Sequence, residues 1–498
     1  MGTLELLHTV QQHATLTLLF PLVALLFLGW FFFQYRKASR PLKMSSEWID
    51  MEISRTGLTF LSVRHPMGKR DILPLSAIFA AFMFLALFQL EDFDARELLG
   101  EQDLAPERPG YMNSIYNAII AGSIYAFGMT PFGYRAAGAF FGVLMLLVMY
   151  IFLKNMFGRT AVSVCGTLLF GFEFMRFVQT RMASIDAFAV FFILAAYFFM
   201  YRHITTPPDS RFRSSLVSLL LSGAFFGLGC ATKWNAIYAG IGLAVIFAIR
   251  LVLLARHYRA GGTAGFGAYL AKTLLFSALF FGAVPAAIYC LSYIPFARAH
   301  GIAFSAAGLL RPEFYREYFG IVWENQAFMF GYHGGLEAAH PFSSQWWQWL
   351  LNAKPIMYVD SYAGDLRSSI AAFGNPLVWW GGLAAMVFMA LRVFMHRDGK
   401  ALFILLGYLS QLLPWIPVSR IVFIYHYFPS TLFLVMALAH IFSLMMERRR
   451  KGHRLAVYGL TAASGLVFAL FYPALTGMPA PRWYFEKLLM WIPVAWPF

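Results

Sequence analysis

Ionisable residues are scarce in this chain of 498 residues: Asp, Glu, Lys and Arg make up 13% of it, against 60% hydrophobic residues. That balance excludes an ordinary soluble globule and marks a polytopic membrane protein. Cysteine is scarcer still. Cys165, Cys230 and Cys290 each stand in an apolar run with no paired spacing, which indicates neither a disulfide framework nor a thiolate metal site. We find no internal repeat of the kind that marks many transporters, and no soluble doubly wound domain. Acidic residues are also outnumbered, giving a formal charge of +15. In a soluble protein this would suggest nucleic acid, but here Lys and Arg gather in short loops between apolar runs. The excess is therefore a topology signal, and anionic membrane lipid, not nucleic acid, is the expected partner.

What is plentiful is apolar length. Residues 15 to 34 form a run that ends at Tyr35-Arg36-Lys37 with no Ala-x-Ala-like site after it, so a retained span is expected. Residues 1–70 then read as an extra N-terminal span with a basic cytoplasmic linker, and 71–498 as the main membrane domain. Further spans are expected at 72–90, 134–153, 160–175, 187–201, 214–230, 236–254, 270–293, 376–394, 401–416, 421–443 and 455–473, about twelve in all by span length. Simple alternation puts the basic loops Lys154 to Arg159, Arg202 to Arg213, Arg250 to Arg259, Arg392 to Lys400 and Glu447 to Arg454 on one side. Outer loops at 91–132 and 294–375 face the other side. Tyr111 to Phe127 is expected as an interfacial helix in the first, and further interfacial helices in the second, which is rich in Trp, Tyr, His and Pro. The fold class is thus an all-α polytopic membrane protein.

The polar residues cluster on that outer side. Arg176-Phe-Val-Gln-Thr-Arg181-Met-Ala-Ser-Ile-Asp186, with Glu173 just before it, sets two carboxylates beside two guanidiniums between apolar runs. Such a set can hold a phosphate and a proton acceptor, or simply pair and anchor helix ends. Arg181, Lys233 and Arg420 stand at outer ends of spans, with Arg135 at the outer start of another; each alone could be a snorkelling anchor. His333, His340 and His426 stand at no metal-ligand spacing.

Several stretches stand out: Pro131-Phe-Gly-Tyr-Arg135, Lys154-Asn-Met-Phe-Gly158, Phe177 to Asp186, and Gly227 to Gly240 with its Lys233-Trp234 pair. They continue with His340-Pro-Phe-Ser-Ser-Gln-Trp-Trp-Gln-Trp349, Ala372-Phe-Gly-Asn-Pro376, Leu413-Pro-Trp415 and Ser419 to Pro429. In these stretches the chain resembles the bacterial protein O-mannosyltransferase family, membrane glycosyltransferases of the GT-C architecture. The chain departs from the family pattern where Phe93-Asp94-Ala95 stands for Phe-Asp-Glu and where Met112 to Asn117 replaces a His-Pro-Pro-Leu-Gly-Lys stretch. A changed acceptor or donor, or reduced activity, would follow from either departure.

The resemblance implies transfer of a mannosyl or related residue from a polyprenyl-phosphate sugar to a hydroxyl at the outer face of a plasma membrane. The acceptor is a protein Ser or Thr, with a lipid or cell-wall glycan as the alternative; a transporter or inactive homologue is a further one. The chemistry needs a carboxylate to take the hydroxyl proton, cations to steady the departing phosphate, and surfaces to position the acceptor. Asp94 is the expected base, with Glu91, Asp92 and Glu97 as rivals, and Asp186 the residue that orients partners or a metal. Arg181, Lys233, Arg420 and Arg135 are the phosphate candidates. His340, His426 and Trp346, the last in a cluster with Trp347 and Trp349, are candidates for substrate contact or interfacial anchoring. No cofactor is firmly expected, and a divalent metal is left open.

Overall fold

A computed structural model describes residues 65–88, 90, 114–206, 212–260, 266–305, 308–334, 340–448 and 450–489. The expected span at 15–34 and the acidic segment carrying Asp94 lie outside the described residues. Among the described residues the structure is a helical bundle. Nine helices are long and apolar enough to cross a membrane, or ten if one bent pair counts as a span.

The first is α1, Lys69–Leu87, followed further along the chain by α2, Ser114–Phe127, and α3, Pro131–Phe157. The start of α3 is written in the sequence: Pro131 takes the first turn, and the Thr130 hydroxyl accepts the Gly133 N–H at 3.0 Å. Its end is Gly158 in the left-handed conformation, φ 74°, which closes the last turn without a Cβ penalty. Helix α2 is docked rather than lying loose on the surface, since Tyr116 donates to the Ala183 carbonyl at 2.8 Å and Ser123 to that of Gly133.

The run expected as a span at 160–175 is instead broken. Helix α4, Thr160–Gly171, and α5, Phe174–Arg181, meet at a 59° bend. Glu173 and Arg176 build that bend. The Glu173 carboxylate caps α5 by accepting the Arg176 N–H at 2.7 Å, while the Arg176 guanidinium donates to the carbonyls of Phe170, Gly171 and Gly142 at 2.8, 2.8 and 3.1 Å. An α-helix end leaves carbonyls without intrahelical partners, and a buried cation is what satisfies them here. Half of the charged knot is thus an internal capping device, as the alternative reading of charges that pair and anchor helix ends has it. Gly142 permits the crossing of α3 and α5, because a Cβ there would lie 2.6 Å from Thr180.

Helices α6, Ile185–Ile204, α7, Phe212–Thr232, α8, Ile237–Ala260, and α9, Phe266–Ala299, continue the bundle. The stretch after α9 holds α10, Pro312–Gly334, and α11, Trp346–Leu350, as the expectation of helices there requires. It also holds a hairpin that was not expected, β1 Ile356–Ala363 and β2 Leu366–Ala372, with β3 Ala480–Pro481 on the far edge of β2. Helices α12, Pro376–His396, α13, Gly399–Leu412, α14, Phe428–Glu447, and α15, Lys451–Thr476, complete it. The span expected at 401–416 corresponds to α13, whose 14 residues are too few to cross a bilayer alone.

Much of the C-terminal half's specific sequence goes into joining these pieces. Asn352 and the backbone of Gly374 exchange two 2.8 Å hydrogen bonds, Asn375 donates to the Phe172 and Ser464 carbonyls at 3.0 Å, and the Trp379 indole donates to the Trp349 carbonyl at 2.8 Å. The Gly374 and Phe172 groups tied in this way are loop backbone that burial would otherwise leave unsatisfied.

Candidate active site

Asp186 enters the site from the first turn of α6. Ala183, in the left-handed region at φ 51°, turns the chain out of α5, and the Ser184 hydroxyl caps α6 by accepting the Asp186 N–H at 3.2 Å. Lys233 arrives from the extended residue between α7 and a short 3-10 turn, Trp234–Ala236. Its ammonium meets both carboxylate oxygens of Asp186, at 2.7 and 2.9 Å, and lies 5.3 Å from the Tyr425 ring centroid. The Asp186 side chain is 4% exposed and that of Lys233 20%, so the carboxylate is buried and the lysine only partly exposed.

A chain of hydrogen bonds holds the lysine turn. The Trp234 indole donates to the Tyr289 hydroxyl at 2.8 Å, Tyr289 donates to Gln326 at 2.6 Å, and Gln326 donates to Tyr293 at 2.6 Å, linking the turn to α9 and α10. Arg420 stands on the same side, with its charge reaching Tyr238 and Tyr425.

The hairpin supplies the remaining wall. Between Met357 and Val359 the β1–β2 register shifts, so Tyr358 is the extra residue of a bulge, a device that re-aims a side chain. Its hydroxyl accepts a 2.7 Å hydrogen bond from Gln179 of α5. Burial first, then Tyr425 and Asp186, push the Tyr358 phenol well above its ordinary value, so it stays protonated and can donate. The other amide atom, Gln179 Oε1, is buried without a hydrogen-bond partner among the described residues, and so is Asn235 Oδ1 beside Lys233. Both are suited to accept from a substrate hydroxyl, because buried acceptors are costly when left unmade.

Of the expected site residues, the structure brings together Asp186, Lys233 and Arg420. Arg181 and Arg135 turn inward. The Arg181 guanidinium donates to the Phe88 carbonyl at 2.5 Å and packs on Phe177, while Arg135 donates to the carbonyls of Arg181 at 2.5 Å and Leu90 at 2.8 Å. Together they grip the chain where it leaves α1 for the acidic segment. His426 is buried, stacked on Tyr425 at 4.6 Å and edge-on to Trp415 at 4.5 Å, with Trp349 beyond. His340 is exposed, its ring edge-on to Phe423 at 5.0 Å, and Trp346 packs half-buried against the core. The side chain of His333 and the whole of Asp94 fall outside what is described. No group of three or more His, Cys, Asp or Glu residues suited to a metal occurs among the described residues.

The residues that sequence reasoning left unassigned are Gln179, Tyr425, Asn235 and Tyr358. The first three lie within the quoted family stretches. Tyr358 carried a weaker signal, a β-rich run ahead of the Gly364-Asp365 turn.

With this geometry in view, the comparisons with known proteins are informative. The family description "Dolichyl-phosphate-mannose-protein mannosyltransferase" matches residues 110–297, and "C-terminal four TMM region of protein-O-mannosyltransferase" matches 318–398 and 392–494. The chain is 25% identical to a polyprenol-phosphate-mannose–protein mannosyltransferase of Mycobacterium tuberculosis, covering 78% of this chain and 82% of that one. It is also 25% identical to the Corynebacterium glutamicum protein of the same description, covering 74% and 78%. Among solved structures, the Saccharomyces cerevisiae protein O-mannosyltransferase Pmt1-Pmt2 complex bound to the sugar donor shares the fold at a TM-score of 0.70. That match has 14% identity and covers 87% of this chain and 93% of that one. The chain belongs to the dolichyl-phosphate-mannose-protein mannosyltransferase family.

Proposed function

We propose that the protein transfers a mannosyl residue from a polyprenyl-phosphate carrier to a Ser or Thr hydroxyl of a protein. The observation that carries this reading is the Asp186–Lys233 pair, with Arg420, Tyr425 and Tyr358 around it, in a chain of this family. Lys233 and Arg420 are the cations for the carrier phosphate. Asp186 holds the Lys233 ammonium at a fixed point, which is worth more to a transition state than a mobile charge. Tyr358, Gln179 and Asn235 offer one donor and two acceptors to sugar hydroxyls.

In the transfer, the acceptor oxygen forms its bond to the anomeric carbon while the bond from that carbon to the phosphate oxygen breaks. The electron pair leaves with the polyprenyl phosphate, and the hydroxyl proton passes to a carboxylate, for which Asp94 is our candidate. Arg135 and Arg181 bear on that step by fixing the carbonyls of Leu90 and Phe88, a few residues ahead of Asp94.

We assign the site to the extracytoplasmic side of a plasma membrane. The basic loops support this, because Lys154, Asp71 and Thr160 join at the opposite end of α1, about 28 Å away along a helix of 19 residues. The reading is tested by transfer of labelled mannose in a lipid-reconstituted preparation of Asp94→Asn and Asp186→Asn. Loss of transfer in Asp94→Asn with unchanged donor binding supports the base assignment; full activity in that variant overturns it.

A further inference from the structure

At the end of the bundle away from the site, the start of α1, the junction of α3 with α4, and the first turns of α15 enclose a cavity of about 920 Å³. Lys69, Arg70, Arg159 and Arg454 line it, all exposed, and none forms an ion pair among the described residues. The lining contains a single carboxylate, Asp71, which is fully engaged. It accepts from Gly68 N–H at 2.8 Å, Thr160 at 2.7 Å and Tyr150 at 3.1 Å, and pairs with Lys154 at 3.0 Å. Among the described residues four cations therefore converge on one concavity with no counter-charge left to them, an arrangement that repels itself unless an anion enters. Helix α4 adds to the field. Its N-cap, Arg159, makes no side-chain cap, so the first-turn N–H groups are left for an outside acceptor.

The position favours a lipid over a soluble ion. The cavity opens at the ends of four helices, next to side chains that face outward: Leu73 is 78% exposed, Leu455 74% and Tyr458 50%. Apolar residues bare at that level suit acyl chains, with the basic groups at headgroup depth. We propose that this cavity binds the phosphate of an anionic lipid headgroup, a site separate from the sugar-transfer site and independent of it.

The test uses the full chain in lipid nanodiscs, with binding of labelled phosphatidylglycerol measured against phosphatidylcholine. Each removed cation should weaken binding about fivefold, so Arg159→Gln with Arg454→Gln should weaken it about 25-fold. Arg159→Lys with Arg454→Lys should restore most of it. An equal charge change elsewhere on the same side, Arg256→Gln with Arg259→Gln in α8, should cost less than about threefold at physiological salt. Equal losses from the two Gln pairs would overturn the proposal by making the effect a general surface potential. Equal binding of phosphatidylcholine, or displacement of the lipid by millimolar inorganic phosphate, would overturn it as well.

Discussion

Breaking the Asp186–Lys233 pair is the perturbation whose outcome the geometry constrains best. Losing one partner of a buried pair costs about 3–5 kcal/mol, and of an exposed pair less than about 1 kcal/mol. Asp186 is 4% and Lys233 20% exposed at the side chain, so a cost of about 2–3 kcal/mol is expected for Lys233→Gln or Asp186→Asn alone. Made together, the two substitutions leave a neutral amide pair of similar shape, and stability should return to within about 1 kcal/mol of the parent. Transfer should behave differently. If Lys233 steadies the departing phosphate, each single variant and the double variant should lose roughly a hundredfold or more in turnover. The assay is a double-mutant cycle in lipid, reading denaturant unfolding and labelled-sugar transfer on the same preparations. Additive stability losses, with a coupling energy near zero, would refute the pairing argument, and recovery of turnover in the double variant would refute the phosphate role.

Other outcomes follow from the same contacts. Tyr358→Phe removes only the hydroxyl that accepts from Gln179, so it should cost about 1 kcal/mol of stability while lowering turnover more than tenfold, measured by steady-state kinetics. Arg176→Met removes the buried guanidinium's three hydrogen bonds, to the Phe170, Gly171 and Gly142 carbonyls, and should cost about 3 kcal/mol or more, seen as lost folded yield in detergent. Arg420→Gln, partly exposed, should leave stability within about 0.5 kcal/mol and raise the donor KM. Burial alone would raise the Asp398 carboxyl, but His440 and then Arg392 hold it well below its ordinary value. Its stabilising contribution is therefore complete above about pH 4 and lost as the pH falls through the lowered value. Asp398→Asn should accordingly be destabilised at pH 7, with the gap to the parent closing progressively below about pH 4 in unfolding titrations.

Apolar length made most of the bundle legible from sequence, because a span has few other ways to satisfy its backbone in lipid. Asp186, Lys233 and Arg420 were also singled out there, as charges at span ends. The broken helix was not, because Glu173 and Arg176 look the same in sequence whether they end a span or cap a bend inside one. Only the positions of the Phe170, Gly171 and Gly142 carbonyls decide which. The contacts of Arg135 and Arg181, candidates for a phosphate or for anchors at span ends, were hidden for a similar reason: the carbonyls of Leu90 and Phe88 that they meet are 45 and 93 residues away in the chain. The hairpin was hidden by aromatic and polar residues that fit an interfacial helix equally well. With it went Tyr358, whose direction is set by a bulge that no single residue announces. The family stretches around Trp349, Asn375 and His426 marked real constraints: in the structure Trp349 and Asn375 tie loops and spans together, and His426 packs between Tyr425 and Trp415.

The most direct measurement of the central claim supplies purified protein in lipid with polyprenyl-phosphate mannose labelled in the sugar and a Ser/Thr peptide. A matched peptide with Ala and Val at those positions serves as the comparison. The account predicts label on the hydroxyl-bearing peptide alone, with release of polyprenyl phosphate in equal amount. Label that appears on lipid or glycan instead, or donor that remains intact in the presence of either peptide, would contradict it.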